Sequence, residues 1–448
     1  MLWSNFWGSV HTLHKNDALF NTNLSISHDG GCLSSDAGLV LVKQVMHLLG
    51  FKHLTNQYLH LHDTRAYFKH SNTSILEQMI LQLVAGYDTD SAANILSNDP
   101  IWQLLLEKEH LASQSTISRF LDRFGEKNIE ELQQMNQALL DQVHPFHDDS
   151  DFIIDLDSTH TDTFGRQEQA NYNAHYQTYG YHPLVAFDGV TGYFLKAQLR
   201  AGNRYTSHGV GDFIKPLLTH YSKKDSNKKL LVRGDSGFAT PDLYESCEAV
   251  RARYVIRLKN NARLTQLGEQ KISYGNNEWD KKEVNYFSVQ YQAKSWNHAR
   301  RVCIQSVREA DELLFQHTFI VTNLDESISP ETIFELYNKR GTMENYIKEA
   351  KNGFFFDKTD SPTFIENYAR MMLSVIAYNL INCLKNIAFD SKQTGMTIQT
   401  IRLKFFKVAG KLVKTARKIH LKLSSYHVYQ DEFYKIFERL RIWSLASV

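Results

Sequence analysis

The chain has 448 residues, 42% of them hydrophobic and 22% charged. This excludes wholesale disorder, and the length exceeds what one core ordinarily holds, so two or three domains are expected. Four scattered cysteines, Cys32, Cys247, Cys303 and Cys383, exclude a disulfide scaffold and offer no pair at metal-ligand spacing, while the net charge of +1 conceals a basic end, with 19 Lys+Arg against 10 Asp+Glu over residues 332–448.

That segregation suits either a polyanion-binding face or a solvated helical surface. The N-terminus, MLWSNFWGSVHTLHKND, has no basic region followed by an apolar core, so no secretory signal is expected. The longest apolar stretch, Met371 to Leu384, is broken by Asn379 and Asn382 and is too short for a membrane span. A cytoplasmic location fits these features and the dispersed cysteines.

Residues 1–147 read as mostly helical. Leu33-Ser-Ser-Asp36 opens an apolar-periodic run through Leu49, and further helices are expected over 74–85, ending near Gly86, and over 101–107. In Ser113 to Phe124, Ile117, Phe120, Leu121 and Phe124 share one helical face, and Gln114, Ser115, Ser118 and Arg119 the other. This suits a recognition helix or an ordinary amphipathic one. After His147-Asp-Asp-Ser-Asp151 the pattern changes to strands: Phe152–Leu156, Tyr181–Phe187 and Tyr193–Leu199, the last two joined by the Gly-bracketed turn 188–192. A helix over 207–221, strand Lys229–Arg233, helix 241–250 and strand 253–258 follow. Three strands, then alternating helix and strand, is the order of a ribonuclease-H-like sheet, so the predicted fold class is α/β with such a core over 148–259. The strand-like runs Glu283–Tyr291, Arg301–Val307 and Leu314–Thr322 make 260–328 a β-rich insertion. From 331 the chain reads as helical almost to its end, with a core helix in 329–360 and a basic helical region over 361–448. Thr240-Pro241, Ser329-Pro330 and Ser361-Pro362 place helix starts near 241, 330 and 362.

Three carboxylates stand out. Asp157 ends the first strand in IIDLDST, Asp235 ends the fourth in LLVRGDSGF, and Glu344 lies within the helix predicted over 331–351. Carboxylates leaving strand ends face the side of a sheet where ligands gather. Two Asp and a helical Glu suit a pair of hard divalent cations, which assist phosphoryl transfer. Tyr337, Arg340, Glu344, Lys348 and Lys351 follow steps of 3, 4, 4 and 3 and share a helical face. The cations of that face suit phosphates held beside a metal-binding carboxylate, or plain Glu–Lys pairing. Between Arg402 and Lys422 there are eight Lys+Arg and no acid. Lys407, Lys411, Lys414 and Lys418 recur at steps of 4, 3 and 4, which predicts a helix with one cationic face for DNA phosphates.

Tyr337-x2-Arg340-x3-Glu344-x6-Lys351 resembles the Y-x2-R-x3-E-x6-K signature of DDE transposases of bacterial insertion sequences. LSSDAGLVLV, DLDSTHTDTFGRQEQANYN, GYHPLVAFDGVTGY, LRAGNRYTSHG, RGDSGFATPDLYE, YNKRGTMENYIKEAKNG, NYARMMLSVIAYNL and RLKFFKVAGKLVKTARKIHLKL resemble one branch, insertion-sequence family 1380. The likeness runs from about residue 25 to 425. AGYDTDSAANILSNDPIW departs from it, being less acidic than the family's corresponding segment. The resemblance implies a transposase that cleaves DNA at element ends and transfers the released 3′-OH into target DNA. It implies an N-terminal DNA-binding domain over 1–147 and a β-strand insertion between the second Asp and the Glu. It also implies catalytic, metal-binding Asp157, Asp235 and Glu344 with Mg²⁺ or Mn²⁺, and phosphate contacts from Tyr337, Arg340 and Lys351. Double-stranded DNA is the expected partner, as terminal inverted repeats and target, with a homodimer on it. The family pattern sets the metal ligand before the Ser/Thr pair, which selects Asp157 and leaves Asp155 as its supporting partner. Trp279 and Trp296 are the candidates for stacking on an extruded base. The alternative is a non-catalytic DNA-binding protein derived from a transposase, against which the intact acidic trio argues.

Overall fold

The computed structural model describes residues 17–18, 20–143, 152–224, 229–272 and 280–446. After three short strands, β1 (Asp17–Ala18), β2 (Asn21–Ser25) and β3 (Leu33–Ser34), come seven helices: α1 (Val40–Leu48), α2 (Phe51–Tyr58), α3 (Asn72–Ala85), α4 (Ala92–Leu96), α5 (Pro100–Leu106), α6 (Gln114–Leu121) and α7 (Glu126–Val143). Their ends follow capping chemistry. Ser71 accepts from the Ser74 N–H to start α3, which stops at Gly86 in the left-handed conformation. Asp99 caps α5 ahead of Pro100. In α6, Ile117, Phe120 and Leu121 are buried while Gln114, Ser115, Ser118 and Arg119 are exposed, the division its periodicity predicts. The sequence reading did not anticipate α2, α4 or α7. The acidic run 147–151 lies outside the described residues.

The next segment lays down β4 (Phe152–Ser158), β5 (Thr161–Asp162), β6 (Asn171–Asn173), β7 (Thr178–Tyr181), β8 (Leu184–Asp188) and β9 (Phe194–Gln198). The strand predicted over Tyr181–Phe187 is divided between β7 and β8 at Pro183, which has no N–H for a ladder. Then come α8 (Val210–Lys224), β10 (Leu230–Gly234), α9 (Pro241–Ala249), β11 (Arg253–Leu258), α10 (Ala262–Glu269), β12 (Glu283–Tyr291), β13 (Arg300–Arg308) and β14 (Gln316–Thr322). Eight of these strands form one mixed sheet in the order β12-β13-β14-β11-β10-β4-β8-β9. β10 runs parallel to both β4 and β11, and the remaining pairs are antiparallel. The β-rich segment after residue 260 therefore extends the main sheet from the β11 edge. β5, β7 and β6 form a separate small sheet.

The C-terminal part holds α11 (Pro330–Asn338), α12 (Thr342–Phe354), α13 (Phe364–Ala388), α14 (Ile398–Ile401), β15 (Gly410–Lys414), β16 (Ile419–Leu423) and α15 (Gln430–Ala446). Two expectations need correction. First, the helix predicted over 331–351 is interrupted by a 3-10 turn at Lys339–Gly341, so Tyr337 and Glu344 sit on different helices. Second, the basic stretch is helical only in a π-helical turn at Arg402–Phe406; beyond it β15 and β16 form a hairpin that pairs with β3. Thr363, not Ser361, caps α13.

α13 packs against α1, α3, α7, α12, α15 and β9 and runs through the middle of the core. It is long and apolar enough to cross a membrane, but 83% of its most apolar window is buried inside the fold, as in the core helix of a globular protein.

Candidate active site

β4 and β10 are parallel neighbours, in register at Asp155↔Arg233 and Leu156↔Gly234. The next residue on each is an aspartate, so Asp157 and Asp235 emerge side by side at the carboxyl ends of adjacent strands, about 4.8 Å apart in strand spacing. Asp157 Oδ1 accepts from its neighbour, the Ser158 N–H, at 2.8 Å. Asp235 caps the short turn Ser236–Phe238, its Oδ1 accepting from the Gly237 N–H at 2.9 Å. Burial pushes the Asp157 carboxyl above the usual range; the Arg340 guanidinium opposes this and the negative charge of Asp235 adds to it.

The turn between α11 and α12 explains the position of Arg340. It is buried, and its Nη2 donates to the Leu156 carbonyl at 2.7 Å and lies 3.0 Å from Asp157 Oδ2. Its Nε is buried with no partner among the described residues. Arg340 thus reaches the end of β4. Two turns beyond Glu344, Lys351 donates to the His160 carbonyl and lies 3.8 Å from Asp357; burial lowers its pKa. Glu344 and Lys348 share that flank of α12, between these two contacts, and both are exposed. Glu344 stands apart from the aspartates: among the described residues no three His, Cys, Asp or Glu side chains gather closely enough to hold a metal ion. Tyr337 is partly buried, and burial raises its pKa, with Asp235 adding to the shift and Arg340 and Arg257 opposing it.

Asp155 is spoken for. Both its oxygens accept from Arg233, at 2.6 and 2.7 Å, and both residues are buried. The remaining Arg233 nitrogen donates to the Leu336 carbonyl at 2.8 Å, which ties α11 to the sheet.

The other predicted contacts fare unequally. Lys407 is ion-paired with buried Asp36 at 2.7 Å and lies against the Tyr87 ring, so it is not free for a phosphate. Lys411, Lys414 and Lys418 are exposed on the hairpin rather than along a helix. Trp296 is buried between Tyr244, Tyr291 and Arg300 and presents no open face. Trp279 lies outside the described residues. The sequence reading passed over the tyrosines of NYNAHYQTYGYH. Tyr176 stacks on His160 with ring centroids 4.8 Å apart, and after burial, the charges of Asp157 and Asp235 raise its pKa, which puts it beside the carboxylates. Tyr172 and Tyr179 pair edge-to-face on the small sheet, both exposed. The clustering of His and Tyr over residues 171–182 is the signal that would have found them.

The donor set fits a hard divalent cation. Asp157 and Asp235 are adjacent carboxylates, Asp235 Oδ2 has no partner among the described residues, and such ions need few protein ligands.

The model of the transposase DDE domain, group 1, matches residues 16–444. The chain belongs to this DDE transposase family. It is therefore a transposase, of a family that cleaves and transfers DNA strands and generally uses divalent metal ions. No curated protein matches it. Among solved structures, the piggyBac transposase synaptic complex with hairpin DNA aligns at a TM-score of 0.44 and 10% identity, over 82% of this chain and 80% of that one.

Proposed function

We propose that this transposase cleaves DNA at element ends and transfers the 3′-OH into target DNA, using Asp157, Asp235 and Glu344. The observation that carries the reading is the emergence of Asp157 and Asp235 from adjacent parallel strands, with Arg340 reaching Asp157 from the turn that leads into the Glu344 helix. The strand order β9-β8-β4-β10-β11, an antiparallel trio followed by two parallel strands, supports a ribonuclease-H-like core.

Asp157 and Asp235 would hold Mg²⁺ or Mn²⁺; Glu344, which stands apart from them here, is assigned to the set on the family signature alone. When bound, such ions stabilise charge on the attacking and leaving oxygens of phosphoryl transfer. Arg340 fixes the Asp157 carboxylate and keeps one buried N–H in hand for a further oxygen. Lys348 is exposed beside Glu344 and suits a DNA phosphate. Lys351 holds the chain after β4 through His160, and Tyr337 closes the side of Asp235. Exposed Tyr172, Tyr179 and Tyr205 offer stacking faces in place of the tryptophans. A homodimer on DNA and a cytoplasmic location remain part of this reading, on the family resemblance and the free cysteines.

The test is strand cleavage with Mg²⁺ or Mn²⁺ on duplex carrying the element's ends. Asp157→Asn, Asp235→Asn and Glu344→Gln should each abolish cleavage while leaving DNA binding in place. Full activity of Asp235→Asn overturns the metal-site reading, and DNA binding with no cleavage by the unaltered chain favours the non-catalytic alternative.

A further inference from the structure

The loop between β9 and α8 is open to solvent, with Asn203, Arg204, Tyr205 and His208 exposed, yet its backbone is pinned from below. Surface loops are ordinarily the mobile part of a fold. Here three buried polar side chains collect the loop's carbonyl oxygens. Asn173 donates to the Gly202 carbonyl at 2.8 Å, and His182 Nδ1 lies 2.7 Å from the Arg204 carbonyl. Arg200, 6% exposed, holds the most: Nη1 donates to the carbonyls of Tyr205 and Thr206 at 3.2 Å each and of His208 at 2.9 Å, and Nε donates to the His182 carbonyl at 2.9 Å. A buried guanidinium is ordinarily met by a carboxylate, because burying a charge is costly. This one is met by four carbonyls, three of them from one loop.

The loop carries Thr206, and Thr206 touches the turns that follow both strand-end aspartates. Its hydroxyl is 3.0 Å from that of Ser158, the residue whose N–H donates to Asp157 Oδ1. Its methyl group lies against Gly237, whose N–H donates to Asp235 Oδ1: a Cβ on Gly237 would sit 2.8 Å from Thr206 Cγ2 and 2.9 Å from Thr206 Cβ. One side chain therefore braces the two residues whose amides orient the two carboxylates. Like charges on neighbouring strand ends repel, so the turns need such a brace if they are not to spread before an ion binds.

We propose that Arg200 and Thr206 are positioning residues of the carboxylate site. Arg200 sets the shape of the loop, the loop places Thr206, and Thr206 holds the turns after β4 and β10 so that Asp157 and Asp235 stay poised for a hard divalent ion. Both act through Ser158 and Gly237 and need no contact with the ion themselves. This role rests on Asp157 and Asp235 being the ion's ligands.

Two measurements on the full chain separate the role from that ligand assignment. The first is hydrogen exchange by mass spectrometry in EDTA, over peptides spanning Ser158 and Gly237. Thr206→Val keeps the branched shape and loses the hydroxyl, and should speed exchange around Ser158 about five- to tenfold, the weight of one hydrogen bond. Arg200→Lys keeps the charge and loses the fork, and should speed it around both residues. Thr206→Ser should match the unaltered chain at Ser158. The second is Mn²⁺ binding without DNA, followed by electron paramagnetic resonance. Thr206→Val and Arg200→Lys should each weaken it about 10–100-fold, Thr206→Ser should preserve it, and Asp235→Asn should abolish it. Thr206 is only half-buried, so its variants fold even where Arg200→Lys does not. Unchanged exchange in Thr206→Val overturns the brace. Faster exchange with undiminished Mn²⁺ binding overturns the positioning role and leaves Thr206 a structural residue. Asp235→Asn binding Mn²⁺ as tightly as the unaltered chain overturns the ligand assignment itself, whatever the exchange shows, and the role with it.

Discussion

Asp155 has both carboxylate oxygens on the Arg233 guanidinium and no exposure to solvent, whereas Asp157, two residues on and on the same face, looks toward a second carboxylate. Burial raises the pKa of both carboxyls, so the contrast between them lies in the partners: Arg233 is held by both Asp155 oxygens, whereas Arg340 keeps the Leu156 carbonyl when Asp157 is changed. Asp155→Asn strands a buried guanidinium and should cost about 3–5 kcal/mol of stability, read by denaturant unfolding. Asp157→Asn should do the reverse in the absence of divalent ions. Because the folded chain raises the Asp157 pKa, its charged form costs stability at neutral pH, and that cost disappears as pH falls through the folded pKa toward the unfolded one. The melting temperature of Asp157→Asn should therefore exceed that of the unaltered chain at neutral pH, and the two should converge near pH ~4. Arg340 belongs to the same account. A lysine lacks the fork that serves both the Leu156 carbonyl and Asp157, so Arg340→Lys should lower apparent divalent-ion affinity in cleavage about 10–100-fold. DNA affinity measured without the ion should hold, and an unchanged ion dependence would mark Arg340 as a mere packing residue. The strand-end aspartates were legible in the sequence because they follow apolar runs; the Arg233 partnership was not, since it depends on strand register across 78 positions.

The basic hairpin shows where local pattern misleads. Lysines at steps of 4, 3 and 4 satisfy a helical period, but Leu412, Leu421 and Leu423 also satisfy a period of two, and over five residues neither excludes the other. The decision comes from β3, far away in the chain, which takes β15 as its partner. The outcome is a ladder with its leucines toward the core and Lys411 directly opposite Lys422 on the outer face. Like charges in that position are unfavourable on their own. Lys411, Lys414, Arg417, Lys418 and Lys422 have no ion pair among the described residues, and a phosphate backbone would relieve the repulsion. Changing Lys411, Lys414, Lys418 and Lys422 to Gln should weaken specific and random duplex binding alike and flatten the log–log salt slope by about 2–4 units. A salt slope identical to that of the unaltered chain, in a folded variant, would take the hairpin off the DNA. Lys407 is left out of the set because it serves Asp36.

That ion pair belongs to a larger joint between the two ends of the chain. Asp36 also accepts from the Tyr87 hydroxyl at 2.8 Å and the Trp102 indole at 3.0 Å. The Ala37 N–H donates to the Val408 carbonyl, and the Leu412 N–H to the Cys32 carbonyl. In the segment whose acidity departs from the family pattern, Asp90 holds Arg370 of α13 through two contacts, and Asp88 holds Lys358. Division into successive helical, sheet and basic segments was readable from composition; their closure onto α13 was not, because the links to the C-terminal part join residues that are hundreds of positions apart. At the centre of the joint, a Cβ on Gly38 would sit 1.7 Å from the Phe405 carbonyl oxygen, a backbone atom that cannot rotate away. Gly38→Ala should therefore force the ends apart and cost about 3 kcal/mol, the upper end for overpacking. Gly341 offers the opposite case: nothing lies within 4 Å of its Cβ position and its backbone is right-handed helical. There Gly341→Ala should stabilise by about 0.4–1 kcal/mol through the unfolded chain. Urea unfolding of the two variants reads both signs, and hydrogen exchange on Gly38→Ala should show the N-terminal helices and α13 losing protection together. Loss confined to the hairpin would mean that the ends are merely in contact and do not share one cooperative unit.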